Sequence, residues 1–137
     1  GYYQLPAPLY SKNKKNHKVW CNTDLYKELE IRASNADVIF IGIGSIGNSS
    51  PIVSNGFINK EQSETLQKEG AVGELLGRFI DRHGKVTSYD LRKSQKATII
   101  GIASGEDKQS AILASLEGKW INGLVTDEQT ARWLLTQ

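Results

Sequence analysis

Gly42-Ile43-Gly44-Ser45-Ile46-Gly47, with Asn48, Ser49 and Ser50 behind it, is the stretch best equipped to hold a ligand. Its glycines leave backbone N–H groups bare, and a nest of such groups favours an anion. The same six residues spell the dinucleotide pattern G-x-G-x-x-G. That chemistry also needs a helix opening at the loop and an acidic residue about 20 positions on to hold the ribose. Asn48-Ser49-Ser50-Pro51 reads instead as loop, because the residue before a proline is pushed out of the helical region. The first downstream acid, Glu61, lies in a polar segment with no second apolar run before it. The loop is therefore read as a contact for a phosphate or a sugar oxygen. The plainer alternative is a set of glycines that only let the chain turn.

Three further residues have side chains suited to such a ligand. Glu74 follows Gly73, where the backbone can approach a ligand closely; its plain alternative is a surface carboxylate. Lys108 falls in the first turn of an expected helix, where the dipole disfavours a cation and Glu106 and Asp107 only partly offset that. A bound anion between Lys108 and the free N–H groups would account for it; its plain alternative is a solvated surface lysine. Asp127 lies near the start of the last expected helix, as a dipole complement or as an acceptor for sugar hydroxyls. No catalytic constellation accompanies them. His17 and His83 stand alone in expected loops, and no serine or cysteine nucleophile motif is near either. Glu74 and Asp127 form an acid–base pair only if the fold joins them.

These residues must be positioned by strands and helices, and the apolar runs suggest which. Val38-Ile39-Phe40-Ile41 reads as a strand over 37–43 covered on both faces. A second strand is expected over 97–103 and a third over 120–125, with a helix over about 106–117 between them, ended by Gly118. Closely spaced strand, helix, strand and helix imply parallel crossovers. Thr23-Asp24 open a helix with Leu25, Leu29 and Ala33 on one stripe. Asn59 and Gln62 read as the cap pair of a helix over about 60–68, stopped by Gly70. Residues 70–81 are read as one strand, with Asp81–Gly84 turning into Lys85-Val86-Thr87. Residues 52–58 read as a mixed connector. Thr126 with Gln129 has the capping-box spelling for the final helix, placing Asp127 one position inside. Tyr2–Pro8 reads as an extended segment ending a strand, and the cluster Lys12, Lys14, Lys15, His17, Lys18 as a solvated loop, its alternatives being a phosphate-steering patch or a partner surface. The expected class is α/β, with a mostly parallel sheet and helices on both faces.

Composition narrows the function. The 137 residues are 39% hydrophobic and 23% charged with a net charge of +2, as for one ordinary soluble domain. That mild basic excess is not the footprint of a nucleic-acid surface. No apolar run is long enough for a membrane helix, and no signal-peptide pattern is present. The single cysteine, Cys21, excludes an internal disulfide framework and a Cys-rich metal site, and suits a reducing, cytoplasmic compartment. With no methionine, the chain reads as an excerpt of a longer polypeptide.

Four motifs, Ala36–Ser45, Gly70–Asp81, Ala103–Ile112 and Thr126–Ala131, occur in an order that resembles the sugar-binding effector domain of the SorC family of bacterial transcriptional regulators. Tyr3–Pro8 also resembles that family's stretch just before these motifs. The likeness implies a Rossmann-like fold related to sugar-phosphate isomerases and deaminases of the glucosamine-6-phosphate and ribose-5-phosphate type. It implies a phosphorylated sugar as effector, no cofactor, and a homo-oligomer (dimer or tetramer) whose DNA affinity the effector changes. By motif position Gly42, Ile43, Gly44, Ser45, Glu74, Lys108 and Asp127 would face the effector. The family's helix-turn-helix and the first part of its effector domain, with a glycine-threonine phosphate loop, have no counterpart here, and the stretch between Asp81 and Leu91 is shorter than usual. Residues 1–137 are thus expected to form a single, partial effector domain that reaches DNA only through a missing N-terminal domain. The alternative from another class is a sugar-phosphate isomerase or deaminase with Glu74 or Asp127 as general base.

Overall fold

A computed structural model describes residues 2–5, 11, 13–86 and 97–137. Its elements run α1 (Lys14–Cys21), α2 (Asp24–Ser34), β1 (Val38–Gly42), β2 (Gly44–Ser45), α3 (Pro51–Ser54), α4 (Lys60–Lys68), β3 (Ala71–Leu75), β4 (Arg78–Asp81), β5 (Thr98–Ile102), α5 (Gln109–Glu117), β6 (Gly123–Val125) and α6 (Glu128–Leu134). A 3-10 turn, Glu106–Lys108, leads into α5.

The three apolar runs pair as the sequence predicts. β1, β5 and β6 form a sheet in the order β1-β5-β6, and both pairings are parallel. The register sets Ile41 beside Gly101 and Leu124, so one face of this sheet looks into the core. Ile41, Ile43, Leu75, Ile80, Ile112 and Ile121 form that core with Ala103, Ala111 and Ala114. The α/β class with a parallel sheet flanked by helices is confirmed. The expected two-sided cover of β1 is not seen, since Val38 and Phe40 on its other face are exposed.

The stretch 70–81 is a hairpin rather than one strand. β3 and β4 pair antiparallel, and β2 adds to β3, making a second sheet in the order β2-β3-β4. The turn is two residues, Leu76 at φ 50° and Gly77 at φ 80°. Positive φ at both central positions suits a tight hairpin whose twist matches its strands. Gly77 marked the break, and a leucine in the left-handed region concealed it. Val86 bridges Ile80, continuing this antiparallel set.

Gly73 has a different use from the one its sequence context suggested. A Cβ there would lie within 3.0 Å of Ala111 Cα and nearer still to Ala111 Cβ. The backbone approach that glycine permits is to α5, not to a ligand.

Several ends also differ from expectation. The lysine-rich segment from Lys14 to Lys18 lies in helix α1, with Asn13 accepting from the Asn16 N–H at 2.9 Å. Lysine is a good helix former, so a capped basic run needs no loop. Pro51 opens the one-turn α3, a position where its missing N–H costs nothing. The stripe Leu25, Leu29, Ala33 exists on α2, but no residue of α1 or α2 is buried. Tyr2–Leu5 joins no strand. Lys12, Pro6–Tyr10 and, of the short Asp81–Leu91 stretch, Thr87–Leu91 fall outside the described residues. Two caps match their spelling: Thr23 opens α2, and Asn59 with Gln62 makes a reciprocal capping box on α4.

Gly73→Ala tests the contact with α5. Overpacking against Ala111 should cost about 1–3 kcal/mol, read as a lower urea midpoint at unchanged slope. A midpoint equal to wild type would mean that α5 does not lie on the hairpin.

Candidate functional site

Gly42 closes β1, Ile102 closes β5 and Val125 closes β6, so the segments that follow all leave one edge of the parallel sheet. Open α/β sheets bind ligands at that carboxyl edge. Every candidate except Glu74 belongs to the ends of these strands or the loops after them, and Glu74 is brought there by pairing.

The first loop is short and anchored. Ile43 is 2% exposed and belongs to the core, so its side chain is turned away from any ligand and only its backbone remains available. Gly44 pairs with Glu74 and Ser45 with Gly73. Residues directly opposite share a face of the sheet, and a Cβ on Gly44 would come 2.8 Å from Glu74 Oε2. Glycine at position 44 therefore makes room for the Glu74 carboxylate. That carboxylate also accepts a hydrogen bond from the Gly77 N–H, which ties it to the hairpin turn. Gly42 and Gly47 have open space where a side chain would stand.

The second loop is held from both sides. Ser45, 7% exposed, donates through Oγ to Asp107 Oδ2 at 3.1 Å. From the other side the Gly105 N–H donates to Asp127 Oδ2 at 3.0 Å, and Gln129 Nε2 donates to Glu106 Oε1 at 2.7 Å. Gly105 sits at φ 103°, a region that non-glycine residues rarely adopt. Lys108, half-buried, ends the 3-10 turn and occupies the N-cap position of α5, so it precedes the α-helix rather than lying in its first turn. Its ammonium makes no hydrogen bond or ion pair among the described residues.

The third position is Asp127, which is itself the N-cap of α6; Thr126 is not. Two capping residues stand side by side in the sequence, and the chain uses the second. Asp127 Oδ1 accepts from the Thr130 N–H at 2.8 Å, and Oδ2 accepts from the Thr130 hydroxyl at 2.8 Å as well as from Gly105. The backbone and hydroxyl bonds from Thr130, followed by the bond from Gly105, hold the Asp127 carboxyl below the usual aspartate range. A carboxylate offers about four lone-pair sites, so roughly one is left for a ligand hydroxyl.

The structure thus joins Gly44 to Glu74, Ser45 to Asp107, and Gly105 to Asp127. Among the described residues no hydrogen bond links Glu74 to Asp127. Sequence reasoning read Asp107 only as a dipole complement and passed over Thr130, yet both carry much of this network. Their signal was weak, an acid inside a turn and a threonine three residues after an aspartate. Among the described residues no group of three or more His, Cys, Asp and Glu could hold a metal ion. No helix among them is long and apolar enough to cross a membrane.

A family model described as "Putative sugar-binding domain" matches residues 1–136. The full-length sorbitol operon regulator SorC from Klebsiella pneumoniae superposes with a TM-score of 0.79 at 31% identity, over 93% of this chain and 43% of SorC. This chain belongs to the SorC-type family of sugar-binding regulator domains. The transcriptional regulator LsrR of Klebsiella pneumoniae is 33% identical over 144 residues, spanning 96% of this chain and 45% of LsrR. A structure from Vibrio fischeri described as "Putative Sugar-Binding Domain of Transcriptional Repressor" has the same fold, with a TM-score of 0.78 at 24% identity over 96% of this chain and 57% of that one. The chain therefore spans about half the length of the curated relatives it matches. In this SorC-type domain the glycine loop, the Lys108 turn and the α6 cap form one hydrogen-bonded edge.

Asp127 has a pH signature. A pKa depressed in the folded state gives stability that is full above the ordinary aspartate range and is lost as pH falls through the folded-state value. Asp127→Ala should lower Tm at neutral pH, and the gap to wild type should close on acidification below that range. Asp127→Asn keeps a capping oxygen and should flatten the pH dependence with a smaller loss at neutral pH. Thermal melts across the acid range decide it; a gap independent of pH would remove the carboxylate from this role.

Proposed function

We propose that this chain is the effector-sensing part of a transcriptional regulator, binding a phosphorylated sugar at the carboxyl edge of its parallel sheet. One observation carries the reading: the loops after β1, β5 and β6 meet in a single hydrogen-bonded edge, in a chain whose family is a sugar-binding one. The open backbone at Gly42 lets a ligand approach. Glu74 and the remaining acceptor of Asp127 take hydroxyl protons, and Lys108 with the turn before α5 takes the anionic group. DNA is read by another part of a longer protein, and the regulator works as a homo-oligomer.

The hydrogen bonding of Asp127 argues against it as a general base. A general base works best with a pKa near the working pH. Asp127 lies on the wrong side of that requirement, held anionic and low by its hydrogen bonds. Its relatives LsrR and SorC are named as regulators, which supports the same side.

Two measurements test the proposal. Calorimetric titration with a panel of pentose and hexose phosphates should find a ligand that its unphosphorylated parent does not match. Lys108→Ala should weaken that ligand about tenfold to a hundredfold, as for loss of one charge-assisted contact worth about 1.5–3 kcal/mol. Unliganded stability should hold or rise slightly, because a cation leaves the positive end of a helix. Equal affinities for wild type and variant would remove Lys108 from the site, and any turnover of the sugar phosphate followed by NMR would favour an enzyme. Separately, fluorescence anisotropy with the 137-residue chain should show no sequence-dependent DNA binding at physiological salt; nanomolar, operator-dependent binding would overturn the assignment of DNA reading to another part.

A further inference from the structure

The net charge of +2 conceals a segregation. Residues 1–23 hold four lysines, Lys12, Lys14, Lys15 and Lys18, and no acid; the first acid of the chain is Asp24. Lys14, Lys15 and Lys18 lie on α1, and each is exposed. At about 3.6 residues per turn the three fall on one side of that helix. Nothing among the described residues accounts for the arrangement. Lys14 and Lys15 stand in the first turn, at the positive end of the helix dipole, and no acid shares that turn. α2, α4 and α6 follow the opposite rule, with Asp24, Glu61 and Glu128 in their first turns. Lys18 is three residues from Lys15 and four from Lys14, spacings at which like charges repel. None of the three makes an ion pair among the described residues; the pairs formed there are Arg32–Glu28 on α2 and Arg132–Glu128 on α6. No residue of α1 is buried, so the lysine stems do not serve packing.

We propose that α1 is a contact for the phosphate backbone of duplex DNA, made without regard to base sequence. Charge complementarity selects a polyanion, because three self-repelling cations on one exposed face are relieved together only by an anion that repeats. Lys14 to Lys18 rise about 6 Å along the helix axis. That is close to two phosphate steps of one DNA strand, at about 3.4 Å each. Among polyanions DNA is favoured by the relatives. LsrR is named a transcriptional regulator and SorC an operon regulator, and this chain spans less than half of each. A duplex held by the rest of such a protein is tethered near this chain, so even a weak contact acts at high effective concentration. The inference rests on the reading that the chain is part of a DNA-bound regulator, not on its effector. Phosphate contacts fix position and orientation, and the bases are read elsewhere.

Fluorescence anisotropy of the 137-residue chain with a scrambled-sequence duplex, from about 50 mM to about 200 mM salt, tests the proposal. Affinity should fall with a log–log slope of about −2.7, for three phosphates at about 0.9 each. Lys14→Gln combined with Lys15→Gln and Lys18→Gln should abolish that slope and weaken binding at the lowest salt by at least about tenfold. Each single substitution should reduce the slope by about one. Lys60→Gln with Lys68→Gln, on α4, should change neither quantity. Glutamine forms helix about as well as lysine, so the triple variant should melt no lower than wild type. A lower Tm would mean that the lysines serve the fold, and it overturns the proposal. Wild type that fails to bind DNA at the lowest salt also overturns it, as does wild type that binds polyglutamate or phosphatidylserine vesicles in preference to DNA. Binding that survives the triple substitution overturns it as well. Should that surviving binding depend on operator sequence, the reading that places DNA recognition in another part fails with it.

Discussion

The close approach of α5 to the β3–β4 hairpin is the constraint on which this architecture depends. α5 is the crossover between β5 and β6, and it also packs on the second sheet. Ala111, Ile112, Ala114 and Ser115 on it are fully buried. The small side chains let the helix sit low, and the hairpin side answers with glycine at both ends of the contact. At one end Gly73 leaves room for Ala111. At the other, a Cβ on Gly84 would fall 2.5 Å from Gly118 Cα, so two glycines meet where no side chain fits. The Trp120 indole closes that end by donating to the Gly84 carbonyl at 2.5 Å. The one hydroxyl carried into this interface, Ser115, is satisfied within its own helix by the Ala111 carbonyl at 2.6 Å.

Fixing α5 also fixes the site. The 3-10 turn is continuous with the helix, so its position decides whether Ser45 reaches Asp107 and whether Gly105 reaches Asp127. Side-chain and backbone hydrogen bonds then hold the loop from β2 on one side and from α6 on the other. A loop held at both sides loses little further freedom when a ligand arrives, and affinity rises as that ordering cost falls. Much of the polar chemistry at the edge is thus spent on positioning. Asp127 illustrates the division, with three bonds to its own protein and roughly one acceptor left over.

Local features were legible and long-range pairings were not. The Asn59–Gln62 box, the Thr23 cap and the three parallel strands each announce themselves within a few residues, through capping geometry or an uninterrupted apolar run. The hairpin did not, because its signal, Gly77, is preceded by a leucine that must adopt positive φ, and Gly73 read as a place for a ligand to approach. Its glycine is explained only by Ala111, which lies far along the chain and becomes a neighbour only in the fold. The choice of Asp127 over Thr126 as cap was hidden for a similar reason. Either residue can cap, but only Asp127 can also receive Gly105 from another loop. Glu74 was read as an acid beside a close backbone approach at Gly73, and strand pairing sets it beside the glycine loop instead. The glycine that makes room for it is Gly44 across the strand pair, not Gly73 beside it.

Charge at this edge constrains what the proposed ligand must look like. Glu74, Glu106, Asp107 and Asp127 are carboxylates at or beside the loops, and Lys108 is the cation among them. A bare anion would meet more negative than positive groups and would be repelled except at Lys108 and the turn before α5. A neutral sugar would satisfy the carboxylates through its hydroxyls yet leave the half-buried Lys108 without a partner, at a desolvation cost. A molecule with hydroxyls at one end and an anionic group at the other meets both conditions. The hydroxyls then lie toward Glu74 and Asp127 and the anion toward Lys108. Reversing the proposed ligand would set like charges together, so under that proposal the edge would select orientation as well as chemical class.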